Sequence, residues 1–152
     1  MTIADPVVTQ FLVMFEVGRL TAGQQDGTLC VWCDQPLAAD AIDLGGPSGW
    51  RPHSCATCYL TRKTWRQTFF DWLGHTEHCE YCTRDGSCTV AYGHRIQHEQ
   101  ARQAAGKPPL SCAACLRPVQ RAELVAPLIC EGFSAPLRMF THVGACPTRR
   151  PA

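Results

Sequence analysis

Cysteine comes in pairs in this chain. Cys30/Cys33, Cys55/Cys58, Cys79/Cys82 and Cys112/Cys115 are four C-x2-C units, and they take up eight of the eleven cysteines in 152 residues. Two thiolates three residues apart on a tight turn both reach one ion at about 2.3 Å, so each unit is a preformed half of a tetrahedral site. A single C-x2-C also marks dithiol redox centres, but that motif needs a surrounding βαβ pattern and has no reason to recur four times. The pairs therefore point to bound metal, zinc above all. Twelve glycines and eleven prolines break up the remainder. A chain so divided builds several small modules, each too small to be stable by burial alone. Each structural zinc supplies on the order of 10 kcal/mol of binding free energy that exists only in the folded state.

Metal thiolates need a reducing compartment. The segment MTIADPVVTQFLVMFEVGRL lacks a basic n-region, carries Glu16 within its short apolar run and has no small-residue cleavage site after it. A cytoplasmic protein with reduced thiols is expected. The odd cysteine count argues against a complete disulfide framework, and no apolar run is long enough to cross a membrane.

Residues 1–29 precede any candidate ligand. Asp5-Pro6 reads as a helix N-cap followed by proline at the first helical position, with Val7, Val8, Phe11, Leu12, Met14 and Phe15 as an apolar face. The stretch QFLVMFEV also suits a buried strand; the helix is preferred, with a loop in TAGQQDGT.

A first module spans residues 30–74. Cys30 and Cys33 sit on a knuckle, GGPSG forms a hairpin loop, and Cys55 and Cys58 open a helix. Thr61 to Leu73 contains neither Gly nor Pro, and Leu60 or Thr61, Trp65, Phe69 and Trp72 recur at helical spacing. The predicted site has four cysteines, with His53 as a rival ligand. Knuckle, hairpin, then a helix whose first turn supplies the last two ligands resembles the treble-clef zinc finger.

A second module, 75–107, opens with HTEHCEYCTRDGSCTVAYGHRIQH. The pattern His75-x3-Cys79-x2-Cys82-x5-Cys88 gives a compact site of three cysteines and one histidine. The competing pattern, Cys79-x2-Cys82-x11-His94-x3-His98, is one residue short of the two-Cys-two-His finger. It also puts Gly86 and Ala91 where that finger wants large apolar residues, and leaves Cys88 idle. The first pattern is preferred, with His78, His94 and His98 as other sources of the fourth ligand. His94 and His98 then fall on exposed positions of a polar connector helix, RIQHEQARQAAGK, ended by Gly106, Pro108 and Pro109.

A third module, 108–152, begins with Cys112 and Cys115 and closes with His142-x3-Cys146 before a C-terminal tail. Between them AELVAPLICEGFSAPLRMFTH has short β-prone pieces that suit a small hairpin. Cys130, in the apolar LIC, reads as a small core residue, or as a replacement for His142 or Cys146. The expected architecture is a small α+β, zinc-stabilised chain of tandem treble-clef-like and zinc-ribbon-like modules, holding about three zinc ions per chain.

WRPHSCATC through HTEHCEYCTRDGSC, with the C-x2-C pair that precedes it, resembles a group of cysteine-rich multi-zinc-finger proteins of Streptomyces-type actinobacteria. The likeness covers roughly residues 30–90 and implies metal binding; it implies little about activity. The C-x2-C-x5-C run is also similar to that of WhiB-like iron-sulfur regulators, in which an upstream cysteine, here Cys55 or Cys58, would complete a four-iron cluster. The Gly-Trp turn expected after such a cluster is missing.

Catalytic zinc keeps an open coordination position, whereas these sites are filled by four protein ligands each. His75-Thr76-Glu77 is an H-x-E, the first half of a zinc deaminase signature, with Glu77 as its acid-base residue, but no proline precedes either downstream C-x2-C pair. A non-enzymatic adaptor follows, with no small-molecule substrate. A protein partner is the leading expectation, and DNA-binding regulation is the alternative. For DNA, Arg62, Lys63 and Arg66 lie beside Tyr59 and Trp65, a basic and aromatic surface suited to phosphates and bases. The competing reading packs the aromatics in the core and leaves the cations to solvate the helix. Charge restrains the DNA reading: the formal +1 becomes −3 once three zinc ions and ten ligand thiolates are counted, so any polyanion binding must be local and salt-sensitive.

Overall fold

The computed structural model describes residues 6–132 and 136–146. Asp5, the expected N-cap, and the tail beyond Cys146 lie outside them. The chain is α+β, in the order α1 (Pro6–Phe15), α2 (Ala22–Gln25), β1 (Ile42–Asp43), β2 (His53–Ser54), α3 (Ala56–His78), α4 (Glu80–Asp85), α5 (Thr89–Ala104), β3 (Val125–Cys130) and β4 (Leu137–His142). The strands make two antiparallel hairpins, β1–β2 and β3–β4. Two compact units result: Met1–Arg62 with Glu131–Pro136, and Lys63–Cys130 with Leu137–Ala152. No helix among the described residues is long and apolar enough to cross a membrane.

In the first unit α1 is a helix rather than a strand. Phe11 is buried with Leu20 and Val31, and Phe15, Trp32 and Trp50 pack around them. Val7 and Met14, expected on this face, are exposed. The segment expected as a loop contains the single turn α2. Thr21 caps it: its hydroxyl accepts the Gln24 N–H, and the Gln24 side chain accepts the Thr21 N–H at 2.8 Å, a reciprocal capping box. In β1–β2, Ile42 faces Ser54 and Asp43 faces His53, with GGPSG in the connection.

Helix α3 starts at Ala56, where Cys55 and Cys58 are expected to open a helix, and runs on past the Gly- and Pro-free stretch through Gly74 to His78. Trp65, Phe69 and Trp72 are buried on one stripe, set by steps of four and three residues. Leu60 is 60% exposed, because a step of five before Trp65 carries it off that stripe.

The core of the second unit is aromatic. Trp72 stacks on Phe140 with ring centroids 5.7 Å apart. Phe69 meets Phe140 edge-on at 5.8 Å, and Cys82, Ala91, Leu110 and Val125 complete the cluster. Helix α5 is not the solvated connector that its polar letters suggest. It begins at Thr89 and buries Ala91, Arg95 and His98, again by steps of four and three. His98 is 1% exposed, against the expectation of an exposed position. Its ring lies against Phe69, Trp72 and Phe140, and Nδ1 is 3.1 Å from the Thr68 hydroxyl. His94 is half-buried. The buried Arg95 is admitted because each of its three guanidinium nitrogens has a partner: Nε pairs with Glu99 at 2.8 Å, and Nη1 and Nη2 donate to the carbonyls of Glu123 and Gln120.

In β3–β4, Val125 pairs with His142 and Pro127 with Phe140. All four are buried, as one face of a period-two ribbon requires. A two-stranded hairpin leaves each strand an outer edge, where a proline without an N–H costs no ladder bond. Cys130 ends β3 half-exposed rather than in the core.

Candidate metal centres

The twelve side chains singled out from spacing converge in three groups of four. These are Cys30, Cys33, Cys55 and Cys58; His75, Cys79, Cys82 and Cys88; and Cys112, Cys115, His142 and Cys146. Within each group the ligand atoms all lie within 4.8 Å of one another. A tetrahedral ion with bonds of about 2.3 Å to sulfur sets those sulfurs about 3.8 Å apart. The observed Sγ–Sγ separations are 3.9 Å for Cys33–Cys55, 4.0 Å for Cys79–Cys88 and 3.7 Å for Cys112–Cys146. The donor sets, one of four thiols and two of three thiols with an imidazole, fit zinc in chemistry as well as spacing.

Two centres are built on the same knuckle. After Cys33 and after Cys115 the chain turns through a left-handed residue, Asp34 (φ 58°) and Leu116 (φ 60°). The N–H groups of Cys30 and Cys112 donate to the carbonyls of Gln35 and Arg117, each at 2.9 Å. Isolated bridges Leu29–Pro36 and Ser111–Pro118 close the two turns. Their shared C-x2-C-x2-P, in LCVWCDQP and SCAACLRP, is a short internal repeat that spacing analysis of cysteines alone overlooks.

In the first centre the knuckle meets the start of α3. The Cys55 N–H donates to Cys30 Sγ at 3.4 Å and the Cys58 N–H to Cys55 Sγ at 3.5 Å, so thiolate charge sits at a helix N-terminus, where it is favoured. Gln24 braces the knuckle: its amide donates to Asp34 at 2.6 Å and to the carbonyls of Val31 and Cys30 at 3.3 and 3.4 Å. His53, the rival ligand, lies outside the group, with Nδ1 2.6 Å from the Arg51 carbonyl.

The second centre is assembled by three helices. His75 comes from the last turns of α3, and its Nε2 is 3.1 Å from Cys88 Sγ. Cys79 and Cys88 are the N-cap residues of α4 and α5, and Cys88 Sγ accepts the Ala91 N–H at 3.4 Å. Between Cys82 and Cys88 the chain turns at Gly86 (φ 83°), where a Cβ would fall 2.2 Å from Val143 Cγ1. Only glycine fits that position. Neither His78 nor His94 joins the group: His78 Nδ1 faces the Gly74 carbonyl, and the His94 ring stands 5.3 Å from that of His75. Glu77 is exposed and two residues on from His75, a step that turns it away from the His75 face of α3.

The third centre joins its knuckle to the end of β4. His142 Nδ1 is 3.7 Å from Cys115 Sγ, and its Nε2 is 3.1 Å from a Glu123 carboxylate oxygen. Nδ1 faces the other ligands of the group, so Nε2–H donates to Glu123; an ion held by Nδ1 would complete the carboxylate–histidine–metal arrangement that fixes tautomer and ring orientation. Hydrogen bonding from the Gln120 N–H, and then from His142, holds the Glu123 carboxyl below its usual range, and the Glu123 contact holds His142 above its own.

Thiolate is the ligating form, and backbone N–H groups favour it at one cysteine of each group, while Cys33, Cys58, Cys82 and Cys146 are pushed up. Cys88 is drawn down to about 6 by the Ala91 N–H and by His75. Burial pushes Cys112 up, yet the N–H groups of Cys115, His142 and Ala114 bring it to about 6. The same contest, won by the N–H groups of Cys55, Trp32 and Cys33, puts Cys30 at about 7. Burial and the neighbouring thiols Cys88 and Cys79 push Cys82 up to about 12. Several thiols packed this closely ionise together only when a cation enters.

The candidate DNA-reading residues are differently placed. Lys63 is exposed, whereas Arg62 and Arg66 are half-buried, and the Arg62 guanidinium lies 5.4 Å from the Trp32 ring centroid. Trp65 is buried, with Lys107 and Arg138 over its ring at 4.7 and 4.8 Å. Against known proteins, the chain matches no family model, no curated protein and no solved structure.

Proposed function

We propose that the chain is a non-enzymatic, zinc-stabilised multi-finger adaptor that works by protein–protein recognition, with one zinc in each Cys/His group. The first centre, with its knuckle, hairpin and helix start, is read as a treble clef. The observation that carries the proposal is the saturation of all three centres. Each group offers four thiol or imidazole ligands at single-ion spacing, which leaves no open position for a substrate or an activated water. Zinc in such sites supplies folding free energy and no chemistry.

The single-ion spacing also weighs against a four-iron cube, which spreads its cysteine sulfurs over separate irons. The exposure of Glu77 weighs against the deaminase reading, because an acid-base residue must reach the metal-bound water. DNA binding is less well supported than protein recognition: Trp65 is buried beneath two cations and cannot stack on a base.

Metal content of the anaerobically purified chain, with its absorption spectrum, is the test. About three zinc ions per chain and no visible absorbance are expected; iron with sulfide and a brown colour would overturn the assignment. A DNA-binding assay separates the partner classes. Should duplex DNA bind at physiological salt, and an Arg62→Ala, Lys63→Ala, Arg66→Ala triple variant lose that binding with its zinc content intact, the DNA reading replaces the protein one.

A further inference from the structure

A cleft of about 700 Å³ lies beside α5, within the second unit, and none of the twelve metal-group residues is among its lining residues. Its lining mixes apolar surface, from the half-buried Ile96 and Val119, with three cations besides Arg95, namely Arg102, Lys107 and Arg121. The one acidic residue among the described lining residues, Glu99, is already paired with Arg95, which also donates to the carbonyls of Glu123 and Gln120. The charge offered to an incoming ligand is therefore positive.

Two of the cations are held in place. Arg102 donates its Nε–H to the Pro108 carbonyl and lies over Phe140, 5.7 Å from its ring centroid. The Lys107 ammonium is set over Trp65. Arg121 is exposed and forms no ion pair with another described residue. Cations fixed in advance lose little conformational entropy on binding an anion.

We propose that this cleft binds an acidic peptide segment of a protein partner, with its carboxylates on Arg102, Lys107 and Arg121 and its apolar side chains on Ile96 and Val119. The proposal rests on the protein-recognition reading and names the partner's chemistry. Nucleic acid fits the same cleft poorly. No aromatic side chain among the described residues lines it, so bases have no stacking platform. A mixed cationic and apolar lining matches a chain that alternates acidic and apolar side chains.

The test uses fluorescence anisotropy of the full, zinc-loaded protein with a short labelled peptide of alternating glutamate and leucine. Binding that weakens with salt is expected, and the glutamine–leucine counterpart should not bind. Arg121→Glu and Gln103→Glu change exposed side chains of the cleft, and each should weaken binding by about tenfold. Failure of the glutamate peptide to bind, equal binding of the glutamine peptide, or unchanged affinity in both variants would overturn the proposal. So would tighter binding of an oligothymidylate that both variants weaken, which would assign the cleft to nucleic acid. Photo-crosslinkers placed singly at exposed positions across the chain, residue 103 included, separate this failure from that of the adaptor reading. Protein adducts elsewhere but none at 103 sink the cleft alone; none anywhere sinks both.

Discussion

Glu123 shows how a residue outside the ligand set can govern a centre. Its carboxylate receives the Gln120 N–H at 2.7 Å and the His142 Nε2–H at 3.1 Å, so it orients the one imidazole of the third group. Glu123→Gln should weaken zinc binding there by about 10- to 100-fold, read by competition with a chromophoric chelator, while the first centre keeps its affinity. His98 makes a different residue-scale prediction. Burial, then the charge of Arg102, lowers it from an ordinary 6.5 to about 4 in the folded chain. The unfolded chain takes up this proton below pH 6.5 and the folded chain only near pH 4. The contribution is therefore fully present above 6.5, declines as pH falls, and reaches at most about 3 kcal/mol. In His98→Leu that dependence is absent, so the stability gap between wild type and variant, from urea midpoints between pH 6.5 and 4.5, should shift against the wild type as pH falls. Parallel curves would show that His98 does not titrate in this window, since zinc loss on acidification is common to both chains.

At the scale of elements, the two knuckles are one device used twice. Both need a left-handed residue after the second cysteine, and neither has glycine there. Asp34 is braced by Gln24, whereas Leu116 is 76% exposed and pays a steric penalty of about 1 kcal/mol for its φ of 60°. Leu116→Asn should raise thermal stability by a few tenths to about 1 kcal/mol, since asparagine tolerates this conformation without adding the backbone entropy of glycine; an unchanged or lower midpoint would refute it. The helices were legible to different degrees. The stripe of Trp65, Phe69 and Trp72 announces itself by periodicity, as does the end of α5 before Pro108 and Pro109. The inner face of α5 does not, because it is written in Arg95 and His98, letters that read as solvated until their partners are known. The α4 turn is hidden too: its N-cap is Cys79, a residue read for its thiol and not for its place in a helix.

For the whole molecule, metal is expected to be a condition of folding. Net stabilities of domains this size are about 5–15 kcal/mol, and each zinc contributes on the order of 10 kcal/mol. Excess chelator at neutral pH and under reducing conditions should abolish the cooperative thermal transition and the near-ultraviolet circular dichroism of the Trp72–Phe140 core. An unchanged melting temperature would mean that the cores of the two units are sufficient without metal. What the sequence by itself determined is which side chains gather. Thiols three residues apart are brought together by a local turn, and a soft ion accepts few other residue types, so the three groups of four could be named from spacing and chemistry. Which polar residues are buried, which brace a centre and where a cleft opens was decided by tertiary structure alone. Arg95, His98, Gln24 and Glu123 take their roles from chain segments distant in sequence, or from a knuckle folded back on them. The energy of a buried polar group depends on partners that no local pattern specifies.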